Sequence, residues 1–184
     1  LAFTDLGSTV APQTSWTSSI SGEQVVFDLG QEQTFHLTYY GGICNSTFTV
    51  ATSDDGLSWS EERLAEYDQG QIFKWLWFTP VERAENGKFT RLESGYPLLT
   101  ARYVRLSAQK AGLVLGEVGF LDEAGNALPI ASVESFGGVE GRASDPALLA
   151  DEQNTVPAYP SYYNSMYFDE IYHARTGYEF EHGM

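Results

Sequence analysis

Apolar and polar positions alternate with a period of two through most of the first 130 residues. Phe35, Leu37 and Tyr39 interleave with Thr34, His36 and Thr38, which is the pattern of a half-buried strand. Thr47 to Thr52 alternates in the same way and runs into Asp54-Asp55-Gly56, a strong turn signal. Gln24-Val25-Val26-Phe27-Asp28-Leu29 is a short apolar run that Gly30 is expected to end. Ile72 to Phe78 is apolar or aromatic throughout except at Lys74, as a strand covered on both faces would be. Arg102 to Leu106 and Leu113 to Leu121 complete the set. Short strands, Gly- and Asp-rich turns, and no helical period or internal repeat predict an all-β antiparallel sandwich. Phe48, Val50, Val104, Leu106, Val118 and Phe120 are expected inside it.

The pattern changes after Ile130. Glu134 to Gly141 is rich in glycine and poor in core candidates. Ser144-Asp145-Pro146 offers a cap with proline in the first turn, predicting a short helix through about Gln153. Val156-Pro157-Ala158-Tyr159-Pro160 reads as extended, because each proline biases its predecessor away from helix. From about Ser165, the residues Tyr167, Ile171, Ala174 and Tyr178 form one apolar helical stripe, with Asp169, Glu170 and His173 off it. The expected organisation is a sandwich over 1–130, a linker with a short helix over 131–164, and a mainly helical tail over 165–184.

Charge narrows the partners. The net charge is −15, with 10 Lys and Arg against 25 Asp and Glu, which excludes nucleic acid and disfavours an anionic membrane face. It leaves carboxylates free for a hard cation such as calcium. The single cysteine, Cys44, excludes an internal disulfide or a cysteine zinc cluster and reads as a small buried hydrophobe. No apolar run is long enough to span a bilayer, and no signal-peptide pattern opens the chain. Because it begins at Leu1, the chain is expected to be part of something larger.

Phosphate-cradling glycine loops, nucleophile elbows and HExxH motifs are absent from the sequence. Aromatic rings are therefore the candidates for binding, since the C–H face of a sugar stacks on Trp or Tyr. Trp59, Trp75 and Trp77 are expected in the core. Tyr39-Tyr40-Gly41-Gly42 reaches a loop, which makes Tyr39 and Tyr40 the ligand-binding candidates. His36 reads as a solvated strand residue, and Asn45-Ser46-Thr47 is a glycosylation sequon.

Two resemblances sharpen this picture. Val25-Val26-Phe27-Asp28-Leu29-Gly30, Phe48 through Trp59 (FTVATSDDGLSW), and Ala101 through Leu106 (ARYVRL) with Gly116-Glu117-Val118 resemble discoidin domains. These are the coagulation-factor C-type, galactose-binding-like modules. The resemblance implies an eight-stranded jelly-roll sandwich whose loops at one end bind ligands, often sugars. It also implies a structural calcium near Glu117, although Leu6 through Trp16 is shorter than the family's calcium-binding loop.

Tyr167-Phe168-Asp169-Glu170-Ile171-Tyr172-His173-Ala174-Arg175-Thr176 resembles the first extracytoplasmic loop motif of bacterial phospholipid-carrier-dependent glycosyltransferases, relatives of the protein O-mannosyltransferases. A discoidin-like insertion just ahead of that motif matches the order seen here. By this resemblance Asp169 stands at the transfer centre with Glu170 beside it, facing a lipid-phosphate sugar donor. The chemistry needs a carboxylate to take the acceptor proton and a cation to hold the leaving phosphate. Asp169 and Arg175 offer those groups, and His173 can orient Asp169 across one helical turn. The alternative is that Asp169 and Glu170 only favour a helix N-terminus through its dipole.

The resemblance implies the extracytoplasmic loop domain of a bacterial membrane glycosyltransferase. Its partners would be a glycan or protein acceptor and the membrane portion of its own polypeptide. Without the family's His-Pro-Pro stretch and membrane helices, the chain alone would be inactive. A free-standing carbohydrate-binding module or a structural spacer are the other readings.

Overall fold

The computed structural model describes residues 11–43, 46–67 and 72–158. Ten strands follow one another among them: β1 (Trp16–Thr17), β2 (Gln24–Gly41), β3 (Phe48–Ser53), β4 (Arg63–Ala65), β5 (Trp75–Trp77), β6 (Pro80–Arg83), β7 (Phe89–Arg91), β8 (Leu99–Ala108), β9 (Val114–Leu121) and β10 (Ser132–Phe136). All pairings between them are antiparallel. The expected all-β sandwich is what the chain forms.

β2 joins the two layers. Its first half pairs with β8 and β10, continuing through β3, β4, β6 and β7. Its second half pairs with β9 and β5, and β9 pairs with β1; these strands form the first layer, and those of the β8 side the other. Gly30 therefore does not end a strand, as its place after an apolar run suggested. It sits in a bulge between Asp28 and Gln33 with φ +79°, which only glycine adopts cheaply, and the Asp28 carboxylate accepts its N–H at 2.7 Å. The bend lets one strand serve both layers.

The alternating positions meet in the middle. Phe120 takes Phe27 and Phe35 edge-on at 5.4 and 5.2 Å, and Tyr39 meets Phe48 at 4.9 Å. All six residues expected inside are buried, each contributing about 1.5–3 kcal/mol. Ile72 to Phe78 departs from expectation. Only Trp75–Trp77 is strand, because Phe73 takes φ 55° in a turn whose N–H donates to Gly41 O at 2.7 Å.

The fold also continues past residue 130. β10 pairs with β2 from Ser132 to Phe136, and the chain then returns over the first layer. The single helix expected up to Gln153 is instead two 3-10 turns, Pro146–Leu149 and Gln153–Thr155. Asp145 caps the first as anticipated, accepting from Ala147 N–H, but Ala150 leaves helical geometry at φ −145°. The reason is packing: Leu149 is drawn fully into the core, and Val156 lies so close to Gly119 that a Cβ there would be 2.5 Å from its methyl. Among the described residues no helix is long and apolar enough to cross a membrane.

Candidate functional sites

The segment that returns over the first layer creates an acidic site. Glu117 on β9 alternates with the inward-facing Val118, and the returning chain covers it completely. Its carboxylate accepts from Glu152 N–H at 3.2 Å and from Gln153 Nε2 at 2.5 Å, while the same Nε2 reaches Val118 O at 2.7 Å. Glu152 is itself bound by the N-terminal strand approach: its Oε2 accepts from Gln13 N–H at 2.7 Å and Thr14 N–H at 2.8 Å. The Thr14 hydroxyl lies 2.8 Å from Glu152 Oε2 and 2.9 Å from Asp151 Oδ1, with one proton to share between them.

Carboxylate oxygens of Glu117, Asp151 and Glu152 all lie within 4.8 Å of one another. Among the described residues no Lys or Arg forms an ion pair with them. Burial pushes the Glu117 carboxyl up to about 8, and the nearby charges of Asp151 and Glu152 add to this against the Gln153 and Glu152 hydrogen bonds. Burial works against Glu152 too, but the donors on Thr14 and Gln13 outweigh it and hold its carboxyl below the usual range. Three hard oxygen donors converging without a Lys or Arg partner among the described residues can hold a divalent cation such as calcium once Glu117 gives up its proton, with Thr14 Oγ1 at hand as a neutral oxygen. The sequence singled out Glu117 alone. Asp151 and Glu152 lay in a stretch read as linker, and only the doublet of acids after the capped turn hinted at them.

A second site lies on the outer face of the other layer. Register sets Val26 between Arg105 on β8 and Glu134 on β10, with Gln24 opposite Phe136 one pair along. The Asp54-Asp55-Gly56 turn folds the β3–β4 loop back over this surface. Asp55 accepts from Ser58 and Leu57 N–H at 2.7 and 2.8 Å, bonds that bring its carboxyl down to about 2, and Gly56 takes φ +73°. The loop thereby places Trp59 above β8, where the Arg105 guanidinium carbon sits 4.4 Å from the ring centre. Trp59, Tyr103 and Phe136 line an open cleft of about 400 Å³ together with Gln24, Asp55, Arg105 and Glu134.

This corrects the expectation for Trp59, which is half-buried on the outer face, because the inward positions on either side of β8 are already filled by Val104 and Leu106. Trp75 and Trp77 also face outward on the first layer. Trp75 is buried there against Tyr40, Leu121 and Val156, while Trp77 stacks on Tyr96 at 5.3 Å with His36 at its edge. His36 Nδ1 lies 3.0 Å from Pro97 O, so it is tied to a loop rather than simply solvated.

Tyr39 and Tyr40 do not present rings to a ligand. Tyr39 is 1% exposed in the core, its hydroxyl donating to Glu66 O at 2.9 Å. Tyr40 is packed edge-on against Trp75 at 5.6 Å, and burial pushes its hydroxyl up to about 12. Both were drawn in because β2 runs on through them to Gly41, past the loop the Gly-Gly pair suggested. Asp169, Glu170, His173 and Arg175 lie outside the described residues, as do Cys44 and Asn45.

No family model matches the sequence, and no curated protein matches it. Among solved structures, a pectin-binding carbohydrate-binding module is similar over 67% of this chain and 81% of its own length, at 18% identity and a TM-score of 0.38. So distant a likeness says nothing of what this chain binds.

Proposed function

We propose that the sandwich is a carbohydrate-recognition domain that holds a glycan in the cleft of Trp59, Tyr103 and Phe136. One observation carries this: three rings line a single open surface beside Gln24, Arg105 and Glu134, which supply hydrogen-bond donors and acceptors at its rim. A pyranose has apolar C–H faces and an equatorial rim of hydroxyls, and a few rings flanked by planar polar groups complement it. Asp55 and Glu134 outnumber Arg105, so the cleft favours a neutral glycan over a polyuronate. Calcium held by Glu117, Asp151 and Glu152 would fix the returning segment to the sandwich, whereas the resemblance to discoidin domains suggested an ion near Glu117 alone.

The chain as a whole is read as the extracytoplasmic domain of a membrane glycosyltransferase using a lipid-phosphate sugar donor. Its support is the motif from Tyr167 to Thr176, with Asp169 as the proton acceptor and Glu170, His173 and Arg175 around it. The sandwich would then bind or place the acceptor. In the full-length enzyme Asp169→Asn should abolish transfer without changing expression, because the amide keeps the shape and removes the base; wild-type turnover in that variant would overturn the assignment.

The binding proposal is tested by titrating the domain with neutral and acidic oligosaccharides while following backbone amide shifts in NMR. Shifts should concentrate around Tyr103 and Phe136, and Phe136→Ala should weaken binding by about tenfold, the loss of one well-packed ring contact. If no oligosaccharide moves these residues, the recognition proposal fails.

A further inference from the structure

A second cleft, lined by different residues from the glycan site, lies where β3, β4 and β6 meet the start of β8. It encloses about 500 Å³. Its floor is aliphatic: Val50 and Val81 are buried, Leu64 and Leu99 partly so, and Leu92 stands half exposed at its edge. The rim is acidic, formed by Glu61, Glu62 and Glu82. Glu62 is engaged by Arg105, Thr49 and Ser107. Arg63, the basic residue in the lining, is held by Glu93 and lies across Phe78 at 5.8 Å from the ring centre. Glu61 and Glu82 are exposed and have no side-chain partner among the described residues.

We infer that this cleft docks a cationic peptide segment, with an aliphatic side chain on the floor and flanking Lys or Arg side chains on Glu61 and Glu82. A sugar suits it poorly. Its one ring, Phe78, is buried beneath Arg63, and its lining has no Asn, Gln or His. Its hydroxyls are already committed, Thr52 Oγ1 to Ser60 Oγ at 3.3 Å and Ser60 Oγ to Glu61 O at 3.2 Å. An aliphatic side chain needs none of those groups, and its burial releases water from the leucines and valines. Two unneutralised carboxylates at the rim supply the complementary charge, and the net charge of −15 steers a basic partner toward the domain.

The test uses three short synthetic peptides: one of lysine and leucine, one with each leucine replaced by serine, and one with each lysine replaced by glutamate. Binding is followed by fluorescence anisotropy and by NMR shifts of Leu92 and Leu99. The lysine–leucine peptide should bind and move both residues. The serine peptide, and the Glu61→Gln/Glu82→Gln variant with the lysine–leucine peptide, should each bind about tenfold more weakly, as expected when either the apolar anchor or its paired charges are removed. The glutamate peptide should not bind. Since both substituted residues are exposed and unpaired, the double variant keeps its fold and its thermal midpoint. Equal binding of the serine peptide would reduce the effect to general charge attraction and overturn the proposal. So would an unaffected double variant, no binding by any peptide, or movement of Leu92 and Leu99 by a neutral oligosaccharide instead.

Discussion

Arg105 holds its guanidinium carbon 4.4 Å from the centre of the Trp59 ring while its Nη2 donates to Glu62 Oε1 at 3.2 Å. The stack ties the β3–β4 loop to β8. A cation–π contact between two partly buried side chains is worth about 0.5–2 kcal/mol, so the loop is anchored but only modestly. Trp59→Ala should lower unfolding stability by about that amount plus some lost packing, and should weaken glycan binding by tenfold or more. Arg105→Lys keeps the charge but loses the plane that stacks, and is expected to weaken binding as well. Urea unfolding and glycan titration of both variants check this. Undiminished binding by Trp59→Ala would remove the ring from the site.

Leu149 is fully buried in the main core although it lies in the stretch that composition alone marks as linker. If the domain truly extends through this segment, Leu149→Ala should cost about 2–5 kcal/mol, as for other buried leucines. Thermal denaturation would show a midpoint lowered by many degrees. A change too small to measure would mean that residues past 137 pack on a sandwich that stands without them.

Much of the fold was legible because period-two alternation is a direct consequence of one buried face. Phe48, Val50, Val104 and Leu106 obey it and are all inside. What failed were positions where alternation says which residues differ but not what covers the other face. Trp75 and Tyr40 are on the outer side of the first layer, yet the returning chain at Val156 buries them. Glu117 is buried by the same segment, so the acidic cluster depended on a contact between residues 117 and 151–152 that no local pattern encodes. The cleft was half legible. Tyr103 and Arg105 are the outward alternates to Val104 and Leu106, whereas Phe136 joins them only through the register of β10 on β2.

Arg102 forms two hydrogen bonds to Asp28, each 2.9 Å, beside the bulge at Gly30. The Arg102 hydrogen bond, against some burial and helped by the Gly30 N–H, holds the Asp28 carboxyl below its ordinary 3.8. A carboxyl lowered in the folded state contributes stability above 3.8 that is lost as pH falls through its folded value. Both side chains are partly exposed, so the contribution is small. Asp28→Asn should therefore reduce stability slightly at neutral pH and flatten the acid limb below about pH 4, where the wild type progressively loses the pair. Urea midpoints at neutral and acid pH test it. A loss that is the same at both would assign the effect to the bulge geometry alone.

The opposite sign applies at Glu117. Its carboxyl is raised from 4.5 to about 8 when no cation is present. In chelator, stability should be full below 4.5 and fall as pH rises toward 8, since the folded state holds a proton that the unfolded state has released. A shift of that size corresponds to roughly a few kcal/mol. Calcium would reverse the trend: it binds the deprotonated cluster, so its stabilisation should grow across the same interval. Thermal midpoints at about pH 5 and pH 8, with chelator or millimolar calcium, should show the largest calcium gain at the higher pH. Glu117→Gln keeps the size and one of the two acceptors, sets its NH2 against the other donor, and carries no charge, so it should lower stability by a pH-independent amount and abolish both the pH slope in chelator and most of the calcium gain. If calcium raises the midpoint of Glu117→Gln as much as that of the wild type, the ion is binding elsewhere. The three carboxylates are then a proton-linked clasp between the returning segment and the sandwich and not a metal site.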